Sequence, residues 1–101
     1  MPENNATFQP GDILISEWGY DQSNVDYYQI VHRTPHTVTI QQIKKDIRYE
    51  PSGVRAYPVK DDFLGEKIRR RIKDGYIEVS KFESAYPFDG TGAYCDIAGW
   101  R

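Results

Sequence analysis

Apolar residues along this chain recur at every second position, in short runs cut by turn formers. Sustained spacings of three and four are missing, so the pattern predicts strands and tight hairpins rather than helices. After Pro10, Gly11 and Asp12, the run Ile13, Leu14, Ile15 is too short for a helix, and residues 12–18 read as a first strand. Residues 26–33 place Tyr28, Ile30 and His32 on one side and Tyr27, Gln29, Val31 and Arg33 on the other, a second strand. Residues 37–41 alternate and are rich in β-branched types, a third. With Thr34, Pro35 and His36 as a three-residue loop, Ile30 faces Ile40, Tyr28 faces Gln42, and Thr37, Thr39 and Gln41 point outward. A loop one residue shorter or longer would exchange the faces.

The strongest local signal is Asp74-Gly75 between alternating segments, the preferred pair for a type I′ two-residue turn. Pairing outward from it sets Ile72 against Ile77 and Arg71 against Glu78. One face gathers Ile68, Ile72, Ile77 and Val79, the other Arg69, Arg71, Lys73, Tyr76, Glu78 and Ser80. Arg70 falls on the apolar side and must reach a rim or be moved outward by a bulge. Residues 44–64, broken by Pro51, Gly53 and Pro58, show no clean period. They read as a long excursion with a short strand at 55–59 and a helical turn at 61–64. The expectation is a mainly β fold: a small antiparallel, SH3-like barrel built from hairpins. It is one domain over residues 1–101, with residues 1–9 a flexible or extended N-terminal arm.

Composition narrows the function classes. At 101 residues and 11.7 kDa there is room for one core but not for a doubly wound dinucleotide fold. A net charge of -2 supplies neither a polycation for nucleic acid nor wholesale nucleic-acid mimicry. That figure conceals a gradient: residues 1–40 hold five acids and one base, residues 41–80 seven acids and ten bases. The single cysteine, Cys95, can form neither an internal disulfide nor a multi-cysteine zinc site and suits a reducing cytoplasm. The N-terminal residues lack the pattern of a secretory signal, and no apolar run approaches the ~20 residues of a membrane span.

Eight tyrosines against four phenylalanines favour half-buried positions and contact surfaces. The densest cluster lies between the first two strands. There Trp18, Tyr20, Asp21, Gln22, Asn24, Tyr27 and Tyr28 set flat rings beside donors and acceptors, a composition suited to a peptide, a base or another planar ligand. The same residues also suit turn formation, with Trp18 as a core anchor. A second surface is the basic hairpin at 67–73, where Arg69, Arg71 and Lys73 stand about 7 Å apart with Tyr76 beside them. Contact with an acidic protein or protection of a strand edge is favoured there over nucleic acid.

Catalytic patterns are thin. His32 and His36 straddle a turn, Cys95 has no sequence-adjacent histidine, and Asp61-Asp62 suits the start of a helical turn better than acid–base work. No nucleophile elbow, Walker loop or dinucleotide fingerprint occurs. The expectation is a protein with no catalytic centre, metal or cofactor.

Residues 16–31, read as S-E-W-G-Y-D-Q-S-N-V-D-Y-Y-Q-I-V, resemble a family of small phage and mobile-element proteins. These carry a similar W-G-Y, D or E, Q, S or T, N run ending in paired aromatics and Q. The likeness continues through residues 37–40 and 58–65 and, more faintly, the turn at 88–90, whereas Glu17 stands where the family has a small residue. The family has no assigned activity, so the resemblance implies a setting. That setting is stoichiometric binding to a host protein in the bacterial cytoplasm, as an inhibitor of a defence system such as restriction or CRISPR. The alternative is a nucleic-acid or small-ligand binding module using the aromatic loop 18–28 and the basic hairpin 67–73.

Overall fold

A computed structural model describes residues 8–18, 24–51, 53–88 and 93–94, with Trp18, Asn24, Ala93 and Tyr94 given as backbone. The described residues form seven strands and no helix. These are β1 (Ile13–Trp18), β2 (Asn24–Arg33), β3 (Thr37–Glu50), β4 (Gly53–Arg71), β5 (Ile77–Ser80), β6 (Glu83–Pro87) and β7 (Ala93–Tyr94). They make one antiparallel sheet in the order β5-β6-β1-β2-β3-β4-β7. The sheet curls into a half-barrel, so that the end of β4 returns to its far edge, where Ile72 bridges Ile77.

The mainly β expectation holds, and so do its central pairings: Ile30 lies opposite Ile40 and Tyr28 opposite Gln42. The route differs. Pro35 and His36 make a two-residue turn closed by the Thr34 N–H on the Thr37 carbonyl at 2.9 Å, and a bulge between Ile30 and His32 absorbs the offset. At the later hairpin Asp74 and Gly75 do turn the chain, but not as type I′. Phe8 and Asp61 are the described non-glycine residues with positive φ, so Asp74 lacks the conformation that turn demands. Instead the Gly75 N–H reaches the Lys73 carbonyl at 2.8 Å, and Lys73 N–H the Tyr76 carbonyl at 2.9 Å.

Residues 44–64 correct the sequence reading most. The expected excursion is the middle of the β3–β4 hairpin, and β4 runs through both the short strand expected at 55–59 and the helical turn expected at 61–64. Its period is hidden by two register shifts. Ile43 pairs with Phe63 while Lys45 pairs with Pro58, and Gln41 pairs with Lys67 while Gln42 pairs with Leu64. The extra residues include Asp61 (φ 68) and Gly65 (φ 69). Left-handed backbone at Asp61 is held by Gln29, which accepts the Asp61 N–H at 2.8 Å and donates to its carboxylate at 2.9 Å. Beyond the first shift, residues 44–58 extend as a two-stranded arm, joined on one side by β7 at Arg55 and Ala56.

Both faces of the sheet carry apolar clusters. Leu14, Tyr28, Ile30, Val38, Ile40 and Ile77 line the inner face with Phe8, so Phe8 belongs to the core and not to a free arm; residues 1–7 lie outside the described residues. On the opposite face Val25, Tyr27, Ile43 and Ala56 pack with Ile13, Ile15, Ile47 and Phe88. Burying aliphatic side chains of this size stabilises the fold by about 1.5–3 kcal/mol each.

Candidate functional site

The first proposed contact set comes apart in the structure. Tyr20, Asp21 and Gln22 lie outside the described residues, and Trp18 and Asn24 are backbone partners at the end of the β1–β2 ladder. Tyr27 and Tyr28, expected as contacts, are core residues at 0% and 8% exposure. Tyr27 opposes Ile15 and Tyr28 opposes Leu14, so their rings project from opposite sides of β2, one into each apolar cluster. The Tyr27 hydroxyl donates to the Ala56 carbonyl at 2.7 Å, and its ring meets Phe88 edge-on at 5.2 Å. The Tyr28 hydroxyl donates to Glu83 Oε2 at 3.0 Å, which the buried Ser16 hydroxyl also approaches at 2.7 Å. Burial, and next the Glu83 carboxylate, push the Tyr28 phenol above its ordinary value. It is a neutral donor tying β2 to β6, unsuited to acid–base work at neutral pH.

This hub of Ser16, Tyr28 and Glu83 was not anticipated. Ser16 and Tyr28 follow from strand parity, but Glu83 enters because Ser16 pairs with Ala85 across the β1–β6 ladder, a contact no local pattern announces. Beside it, Lys45 Nζ donates to the Val25 carbonyl at 2.6 Å and pairs with Asp26 at 3.2 Å.

The basic surface stands where its alternation placed it. Arg69 pairs with Thr39, Arg71 with Thr37 and Lys67 with Gln41, so the three cations project from the outer face above a neutral row on β3. All three are exposed, and none has an ion pair among the described residues. Lys67 was not singled out from the sequence, although it shares their parity. His32, opposite Thr39, extends the face, and both it and His36 are exposed. Among the described residues no three His, Cys, Asp or Glu side chains converge as a metal site, and Cys95 lies outside them.

Two details of the hairpin differ from expectation, the partner of Glu78 and the placing of Tyr76, whereas Arg70 reaches a rim as its register required. The ion pair on Glu78 comes from Lys73, at 3.7 Å, and not from Arg71. Tyr76 sets its ring against Tyr86 at 5.7 Å. Arg70, opposite Val38 on the inner face, carries its guanidinium to the rim, where Nε donates to the Val79 carbonyl at 2.9 Å and Nη1 to the Arg69 carbonyl at 2.8 Å.

Comparison with family models, curated proteins and solved structures gives no match to this chain. The case for a function therefore rests on the surface itself.

Proposed function

We propose that this chain is a non-catalytic protein of phage or mobile-element origin that binds a host protein stoichiometrically in the bacterial cytoplasm, as an inhibitor of a defence system. The observation that carries this reading is the unneutralised row of Lys67, Arg69 and Arg71. Five other cations are engaged in internal pairs, Lys44 with Asp62, Lys45 with Asp26, Arg48 with Asp46, Arg55 with Glu50 and Lys73 with Glu78, while Arg33, Lys60, Arg70 and Lys81 lack an ion pair among the described residues but stand outside the row. A fold whose acids outnumber its bases has carboxylates available for this row, yet leaves it facing solvent over Thr37, Thr39 and Gln41. That arrangement fits an acidic partner surface, which fixes docking orientation and raises the association rate. The resemblance of residues 16–31 to phage proteins supports the setting, and chain length and tight hairpins support the finer SH3-like description of the half-barrel.

A second reading draws on the same row, because side chains about 7 Å apart on one strand approach the phosphate spacing of a single-stranded nucleic acid. One pair of measurements separates the two. Tagged protein incubated with host lysate retains a specific partner that Lys67→Glu with Arg69→Glu releases. Titration with short single strands at low and high salt shows no binding. A salt-sensitive shift with those strands, together with an empty lysate capture, would transfer the function to nucleic acid.

A further inference from the structure

The half-barrel closes at one point and is open beside it. Among the described residues, β4 and β5 pair at the Ile72–Ile77 bridge and not beyond it: β5 is the terminal strand of the sheet, and β7 covers β4 only at Arg55 and Ala56. Residues 67–71 and Ile77–Ser80 thus present two strand edges across a seam. A register shift between Glu78 and Ser80 takes Val79 out of step with β6, and the Arg70 side chain supplies a donor to its carbonyl in place of a neighbouring strand. Natural sheets normally cover or blunt such edges.

The seam holds an open cleft of about 360 Å³, lined among others by Arg70, Arg71, Lys73, Lys81 and Glu78. Four cations face one carboxylate, and Lys73 already engages that carboxylate. The turn between β5 and β6 sets Phe82, 90% exposed, at one end of the seam.

We infer that the seam receives an extended, acidic segment of the partner protein, added as a strand along the free edge of β5. Backbone groups of the incoming strand pair with β5, its carboxylates meet Arg71, Lys73 and Lys81, and an apolar side chain covers Phe82. Arg70 exchanges its Val79 contact for a carboxylate on the incoming strand. This inference rests on the protein-binding reading above and adds the chemistry and conformation of the partner.

The test uses the full chain and a fluorescent peptide of alternating glutamate and valine. Saturable binding is expected, weakened by about tenfold or more when alternate peptide amides are N-methylated, and likewise by Arg71→Glu with Lys81→Glu, both exposed positions. Hydrogen exchange on the unaltered protein adds a readout that no folding defect can mimic: the Glu78 and Ser80 amides gain protection with peptide. Equal affinity for the N-methylated peptide, equal affinity in the charge-reversed protein, or unchanged exchange on β5 overturns the inference. So does pairing of β5 with a second copy, seen as a dimer in sedimentation that the peptide does not dissolve. Lysate capture sensitive to Lys67→Glu with Arg69→Glu, but without peptide binding, removes the seam and leaves the protein-binding reading standing.

Discussion

The two ends of β4 live in opposite electrostatic conditions. In the arm, Arg55 lies 3.5 Å from Glu50, which also accepts the Tyr57 hydroxyl at 3.0 Å, and Arg48 pairs with Asp46 at 2.9 Å while covering the Tyr57 ring at 4.7 Å. At the barrel end, Lys67, Arg69 and Arg71 pair across the ladder with the neutral Gln41, Thr39 and Thr37. One strand therefore carries a self-satisfied segment and a segment whose charge is directed outward. Exposure alone does not separate the two ends, since Tyr49 in the arm is 77% exposed. A row of cations without ion pairs among the described residues distinguishes the barrel end.

The sharpest way to break this comparison is to attack the scaffold under the row. Ile40 is fully buried and sits between Ile30 and Ile68. Ile40→Ala is expected to cost about 2–5 kcal/mol in denaturant unfolding, a large share of a small domain's stability. A loss below 1 kcal/mol would show that the inner cluster does not hold the row in place. Next in size, Lys67→Glu with Arg69→Glu should lower partner affinity tenfold or more while moving stability by about 0.5 kcal/mol or less. Equal losses in both would make the row structural.

Tyr28→Phe removes the donor to Glu83 and should cost about 1 kcal/mol near neutral pH. Its pH signature is more telling. Because the folded chain holds the Tyr28 proton above the phenol's ordinary 10.0, stability is intact below that pH. It falls as pH rises beyond it, where the unfolded chain releases the proton first. In Tyr28→Phe this part of the alkaline loss disappears; an unchanged profile between the two proteins would contradict it. The smallest effect is expected at the arm, where Tyr49→Ala should shift stability by about 0.5 kcal/mol or less and leave lysate capture intact. Loss of capture there would move the contact surface to the arm.

What the sequence revealed depended on whether a period survived. Ile72 with Ile77 was legible because alternation runs unbroken up to the turn on both sides, and Ile30 with Ile40 came out in register because the bulge before His32 offsets the one residue by which the turn is shorter. β4 was not legible, since two insertions within one strand reset its parity, and Pro58 sits at one of these shifts, where a missing N–H is tolerated. Tyr27 and Tyr28 read as a contact loop because both faces of β2 are covered, so adjacent aromatics signal two cores and not an exposed edge. The basic row was legible from spacing, but its lack of counterions was not: Glu78, expected opposite Arg71, pairs with Lys73 instead.

The β1–β6 ladder sets Leu14 against Pro87 and Ile15 against Tyr86, joining segments near opposite ends of the chain. Every other pairing among β1 to β4 links neighbours in sequence. Loop-closure entropy then makes this ladder the slow event of folding, after the successive hairpins have formed. Until it forms, Glu83 cannot meet Ser16 or Tyr28, and the inner cluster stays open along that side. A chain emerging from the ribosome would hold its middle hairpins while awaiting β6, and becomes a finished barrel wall only when its last third arrives.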